Sequence, residues 1–257
     1  MDSTRGVLAE PRRSHGAGEN RLLAALPRDA YERLLPKLET VRLEARQVLS
    51  WPNEPIAHVY FLVSGVVSML AVLQGGPTID VGLIGNEGMV GLPGFWATGS
   101  LPLRVIVQVG GEARRLRAGA LRAAVEAEGP AGPLSALLLR YTHALVVQSA
   151  QTAACNRIHR VEERCARWLL QTQDRLGAAR WPLTHEFLAQ MLGVRRASVS
   201  VVMRTLQHAG ILRYHRGEVA ILSRAALEAA ACPCYRIITA EFDRLLGGFG
   251  GTPAEQP

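Results

Sequence analysis

The stretch LTHEFLAQMLGVRRASVSVVMRTLQHAGIL, Leu183 to Leu212, decides how the chain is read. It divides at Gly193 into two short helices. Thr184 is an N-cap residue type. Phe187, Leu188, Met191 and Leu192 fall on one apolar face, and the small Ala189 lets a second helix cross closely. Gly193 suits the left-handed conformation that ends a helix, with Val194 as the apolar anchor of the turn. The second helix runs from about Arg196 to Gln207. At about 100° per residue, Val199, Val202, Met203 and Leu206 share its inner face, and Ala197, Ser200, Val201 and Arg204 its outer face.

Arg195 and Arg196 stand at the start of that helix, where the dipole disfavours positive charge. An anion outside the protein accounts for them. A narrow outer face of small residues with arginine suits a helix entering the major groove of DNA. Small side chains permit close approach, and arginine reads guanine bidentately. GILRYHRGEVAIL follows, two short strands around Arg216-Gly217. This wing brings Arg213, His215 and Arg216 near the phosphates. The expected DNA-binding residues are Thr184, Arg195, Arg196, Ala197, Ser198, Ser200, Val201, Arg204, Arg213 and Arg216.

The charge sits in the same region. From Arg157 to Arg224 twelve arginines face five acids, an excess equal to the whole net charge of +7. A basic segment of this kind suits a polyanion. The arginine bias is general, however: Lys37 is the one lysine among 29 basic residues. Hydrophobic residues make up 48% of the 257, enough for a substantial core. Residues 1–20 lack the apolar run of a signal peptide. No segment has the roughly 18 uninterrupted apolar residues of a membrane span. A cytoplasmic protein with no membrane association is expected.

Upstream, Leu22, Leu23, Leu26, Tyr31, Leu34 and Leu35 give helical spacing broken at Pro27, with Asn20 or Asp29 as caps. From Leu38 to Leu116 the pattern becomes short strands with glycine turns, as in a β-sandwich or barrel. Ser64-Gly65 and Gly110-Gly111 each read as a hairpin turn between flanking β-rich runs. RAGALRAAVEAEG reads as a short helix. Gly132 and Pro133 open a long one, with Leu134, Leu138, Tyr141, Leu145, Gln148, Thr152 and Cys155 at three- and four-residue spacing. Leu137, Leu139, Val146 and Val147 widen its apolar face, so it needs cover on two sides. The cover is the β-rich region with either a partner copy or more of the same chain. A break near Asn156–Arg160 precedes a further helix carrying Cys165, Trp168, Leu169 and Leu176.

This order resembles the Crp/Fnr family of bacterial transcription regulators over roughly residues 20–245, most specifically over 161–222. The resemblance implies an α+β fold. It consists of an N-terminal β-roll (jelly-roll, cyclic-nucleotide-binding-like), a long dimerisation helix and a C-terminal winged helix-turn-helix. It divides the chain into a tail at 1–19, a sensor at 20–131, a dimerisation helix at 132–156, a DNA-binding unit at 157–247 and a tail at 248–257. It further implies a homodimer on the double-stranded DNA of a palindromic operator, with RNA polymerase as a partner. The family reads bases with an Arg-Glu pair and often a later Arg. Here Arg196 fills the first position, but Ala197 stands at the Glu and Val201 at the later Arg, so the family's usual half-site is not expected.

The sensor departs too. Cyclic-nucleotide-binding members carry a Gly-Glu and then an Arg-Ser. In GLPGFWATGSLPLRV, Gly91 to Val105, Leu92 replaces the Glu, which would hold a ribose hydroxyl. Pro102-Leu103 occupies the Arg-Ser region with Arg104 beside it. Leu92 and Arg104 are the candidate effector residues, and cyclic nucleotide is not the expected ligand. No cysteine precedes Cys155, which argues against the N-terminal iron–sulfur cluster of oxygen-sensing members. His58, His143 and His159 leave haem open.

Cys155 and His159 lie one helical turn apart, and Cys232 and Cys234 one residue apart. Cys232 and Cys234 could be a redox pair or half a metal site, and Cys155 and His159 could share a metal. Packing of small buried thiols is the expected role, so no metal and no cofactor are assigned. HEFLA at His185 starts like a zinc-protease motif, but Ala189 replaces the second His. Asp80 and Glu87 have no partner signal. With no nucleophile elbow, phosphate loop or dinucleotide fingerprint, no catalytic residue and no enzyme are expected. Two readings follow. One is a dimeric DNA-binding regulator. The other is a small-molecule or protein-binding module whose helical part does not read DNA.

Overall fold

A computed structural model describes residues 19–76 and 78–247. The two expected tails lie outside them, Glu19 apart. The chain begins with α1 (Arg21–Ala24) and α2 (Arg28–Leu34). Asn20 caps α1, its side chain accepting from the amides of Leu22 and Leu23, while Asp29 sits in the first turn of α2 instead of capping it.

Eight strands and a short helix follow: β1 (Glu39–Leu43), β2 (Val48–Ser50), β3 (His58–Leu62), β4 (Val66–Val72), β5 (Thr78–Ile84), β6 (Met89–Val90), α3 (Pro93–Trp96), β7 (Leu103–Val109) and β8 (Gly111–Arg117). They form two four-stranded antiparallel sheets, ordered β1-β8-β3-β6 and β2-β7-β4-β5. Phe61 and Ala113 of one sheet and Val67 and Val107 of the other meet in one apolar core.

Neither expected hairpin exists. β3 pairs with β8 and β4 with β7, so Ser64-Gly65 and Gly110-Gly111 are places where the chain passes from one sheet to the other. The runs 58–72 and 103–117 form one antiparallel ribbon that turns the corner together. Gly65 adopts φ +84°, and a Cβ there would lie 2.6 Å from the Val109 carbonyl oxygen. Glycine supplies a sharp bend at each site, as a hairpin would require, but the bend is a corner. The partner strand, some 50 residues away, decides whether a bend is a hairpin or a corner.

The helical half consists of α4 (Ala118–Glu128), α5 (Pro133–Ile158), α6 (Val161–Leu176), β9 (Arg180–Pro182), α7 (His185–Leu192), α8 (Arg196–His208), β10 (Leu212–His215), β11 (Glu218–Ile221), α9 (Arg224–Ala230) and α10 (Cys234–Leu246). All seven stripe positions expected on α5 are buried. The chain breaks at His159–Arg160. There Glu163 accepts from the Arg160 amide at 2.8 Å, closing the first turn of α6 as capping acids do.

α6 is buried almost all round, including Arg164, Arg167, Gln171, Thr172 and Arg175. It lies between two cores that exchange elements. Ile238 and Phe242 of α10 pack into the β-rich core. Val66, Leu70 and Leu83 of the second sheet pack into the core built around Trp168, Leu188 and Val202. No helix among the described residues is long and apolar enough to cross a membrane.

Candidate nucleic-acid interface and adjoining sites

The two-helix motif is built from local signals. The Thr184 hydroxyl accepts from the Phe187 amide at 3.1 Å, starting α7. Gly193 ends it at φ +63°, packed so closely on Ile79 of β5 that a Cβ would sit 2.8 Å from the Ile79 Cδ1. Gln190 donates to the Thr78 hydroxyl at 2.7 Å, so the motif's first helix rests on the second sheet. On α8, Val199, Val202, Met203 and Leu206 are all buried. Arg195, Arg196, Ala197, Val201 and Arg204 are exposed, and Ser198 and Ser200 half-buried.

The wing is tied to both helices. β10 and β11 pair through a turn in which Arg216 (φ 48°) and Gly217 (φ 80°) are both left-handed, the geometry of the tightest hairpins. A third strand, β9, joins β11 through Trp181 opposite Val219, which the sequence reading did not foresee. His185 stacks on Tyr214 at 4.4 Å between ring centres and shares a 3.0 Å hydrogen bond with the Ser200 hydroxyl. Burial, and then the charge of Arg196, hold the His185 imidazole below its ordinary pKa. Gln207 accepts from the Tyr214 amide at 2.7 Å. Thr184, Arg213 and Arg216 are exposed on the same construction.

The arginine count needs correcting. Arg164, Arg167 and Arg175 are buried, and Arg224 is paired with Asp174 at 2.7 Å and Glu228 at 2.9 Å. These four serve the interior. The exposed arginines Arg195, Arg196, Arg204, Arg213 and Arg216 are nevertheless concentrated on α8 and the wing.

Arg175 and Glu87 form an ion pair at 2.9 Å with side chains 0% and 2% exposed, and Arg175 also donates to Gln148 and to the Gln171 carbonyl. Asp80 is buried near Arg167, and burial pushes its carboxyl up to about 6. Both acids therefore have partners, on a helix some 90 residues further along the chain.

In the β-rich half a pocket of about 250 Å³ is lined mainly by apolar side chains, among them Met69, Leu92, Leu103, Val105 and Leu145. Leu92 thus sits at the candidate effector site. Arg104 does not line it: Leu103 and Val105 point in, and strand alternation turns Arg104 to the other face of β7. Among the described residues no charged side chain lines the pocket.

The structure also gathers Cys155, His159, Cys232 and Cys234, with their ligand atoms all within 4.8 Å of one another. The three thiols form a buried cluster separate from both large cores. A hydrogen bond shared with Cys232 holds the Cys155 thiol below the ordinary thiol range, and the same bond raises that of Cys232.

Residues 163–230 match the Crp-like helix-turn-helix domain. Among solved structures, the chain is similar to the global regulator CLP of Xanthomonas campestris, described as responsive to c-di-GMP. That match has 18% identity and TM-score 0.63, over 77% of this chain and all of that one. It is also similar to FixK2 of Bradyrhizobium japonicum, with 19% identity and TM-score 0.65 over 76% and 98% of the two chains. The Crp/Fnr-family regulator TTHA1359 of Thermus thermophilus matches at 21% identity and TM-score 0.61, over 75% and 98%. The chain has the Crp/Fnr fold. No curated protein matches it.

Within the Crp/Fnr fold, the helix-turn-helix stands where the sequence placed it, because its signals are local. The four-residue Cys/His cluster was missed because each half was weighed alone. Cys155 and Cys232 are 77 positions apart, and no spacing rule joins them.

Proposed function

We propose that the chain is a homodimeric, sequence-specific transcription regulator acting in the cytoplasm. In this reading α8 enters the major groove, and the wing of β10 and β11 meets the adjoining phosphates. The observation that carries it is the division of α8. Its apolar face is spent on the core, while Arg195, Arg196, Ala197, Val201 and Arg204 are exposed beside Arg213 and Arg216 of the wing. Arg196 and Arg204 are suited to guanine, and Ala197 and Val201 to the thymine methyl. The match of residues 163–230 to a Crp-like helix-turn-helix domain supports the same reading.

Dimerisation rests on α5. Ala136, Leu139, His143, Val146, Ala150 and Ala153 are exposed and recur at alternating three- and four-residue steps, the seam of a two-stranded coiled coil. Leu139 and Val146 are 55% and 60% exposed. Replacing both with Asp is expected to convert a dimer into a monomer by light scattering while leaving the circular dichroism of the fold unchanged. A wild-type monomer at working concentration overturns the dimer.

The effector pocket touches α5 through Leu145, Val146 and Ser149, so an occupant would bear directly on this helix. With no cation in its lining among the described residues, the pocket favours an uncharged apolar ligand over a cyclic nucleotide. A dimer bound beside a promoter is placed to meet RNA polymerase.

The test is selection of bound duplexes from a random pool at fixed salt, since phosphate contacts make affinity steeply salt-dependent. A two-fold symmetric site is expected, with half-sites about one helical turn apart. Arg196→Ala and Arg204→Ala should each weaken binding to that site by about 1–3 kcal/mol. If both variants bind it as tightly as the wild type, α8 is not the reading helix.

A further inference from the structure

We infer that Cys155, His159, Cys232 and Cys234 form a four-ligand site for zinc, clamping the end of α5 to the start of α10. The Cys155 and Cys232 sulfurs are 3.4 Å apart, and the Cys234 sulfur is 3.6 Å from Nδ1 of His159. In a tetrahedral zinc site, bond lengths of about 2.3 Å to sulfur and about 2.0 Å to nitrogen put neighbouring ligand atoms about 3.5–3.8 Å apart. The two close pairs already stand near that spacing, and the widest separation, within 4.8 Å, closes by rotation of side chains. Iron atoms bridged by sulfide would need a wider ring of ligands than this one.

The chain supplies each ligand in a suitable way. Cys155 lies in the last turn of α5, and His159 caps the same helix four residues on, so both face one way. Cys232 and Cys234 flank Pro233 at the start of α10. Cys234 is the first helical residue, where the helix dipole favours a thiolate. Three thiolates and a neutral imidazole around a divalent ion carry a net charge of −1. Arg164 and Arg167, both buried, lie close enough to Cys155 and Cys232 to interact with them electrostatically. The Nε atom of each has no hydrogen-bond partner. Arg164, which the interior would otherwise hold at a cost, is explained as a counter-charge to a metal–thiolate centre, and Arg167 serves both that centre and Asp80.

Three soft sulfurs and one imidazole in tetrahedral array select zinc among common divalent ions. Four protein ligands leave no open position, which makes the site structural and not hydrolytic. Its place gives it a mechanical role. It bridges the His159–Arg160 break, and Arg164 reaches from beside the thiols to the carbonyl of Leu192 at the end of α7. The inference does not rest on the DNA-binding reading, and its test uses no DNA.

The full-length protein, purified under argon with reductant, is expected to hold one equivalent of zinc by elemental analysis. Exchange for Co²⁺ should give the intense visible bands of a tetrahedral ion and thiolate-to-cobalt charge transfer. Chelator should lower Tm, and added zinc should restore it. Cys232→Ser and His159→Ala should each weaken Co²⁺ binding about tenfold or more, while Cys165→Ala, a thiol in the other core, should not. If the variants fail to fold, titration of wild-type apoprotein against a competing chelator gives the same answer. Less than one equivalent of zinc bound to reduced wild type overturns the site. So does iron with acid-labile sulfide, an octahedral cobalt spectrum, or a Cys155–Cys232 disulfide in place of metal.

Discussion

Glu87→Leu should cost about 3–5 kcal/mol of stability in urea denaturation, because it strips the buried Arg175 guanidinium of its direct ion-pair partner. Arg175 is fully buried and held by Glu87 at 2.9 Å, and the Gln171 carbonyl and Gln148 each accept from one of its two terminal nitrogens. The pair joins the turn after β5 to α6, so it bolts the β-rich half to the helical half. Adding Arg175→Met to Glu87→Leu removes the stranded charge along with its partner. The double variant is expected to regain most of the loss. A single variant within about 1 kcal/mol of wild type would mean that water reaches Arg175, and that the ion pair does not hold the halves together.

The second large effect is a dependence on pH. Burial lifts the Asp80 carboxyl from 3.8 to about 6 despite the opposing charge of Arg167. The folded protein therefore holds this proton more tightly than the unfolded chain. The stability gained by protonation is complete below about pH 4 and is lost as pH rises through about 6. Asp80→Asn keeps the shape and removes the titration. The stability of the variant minus that of wild type should climb by about 3 kcal/mol in all as pH rises from well below 4 to well above 6, levelling off only beyond about pH 7. Parallel curves for the two proteins would show that Asp80 titrates as an ordinary surface carboxyl.

What the sequence made legible was what a dozen neighbouring residues decide among themselves. The cap at Thr184, the left-handed Gly193, the inner face of α8 and the buried stripe of α5 all follow from helical spacing, and all stand as expected. Ser64-Gly65 and Gly110-Gly111 announce a bend equally well in a hairpin and at a corner between sheets, and only a distant strand decides. Arg164, Arg167 and Arg175 have the appearance of surface charge in a linear string. Their burial depends on Glu87 and Asp80, on a loop and strand of the other half, and on thiols from two further helices. Arg104 was placed near a pocket by its number, while the alternation of β7 turns it away.

The exchange of elements between the two cores bears on how this chain can be rearranged. A gene fusion spliced at residue 159 would take α10 away with the winged helix, and would leave the β-rich half without Ile238 and Phe242. The transplanted half would in turn miss the bed of Val66, Leu70 and Leu83 on which it rests. The C-terminal half is therefore not a cassette. A working chimera must carry α10 back to the recipient's β-rich half, or import the facing surface of β4 and β5 with it.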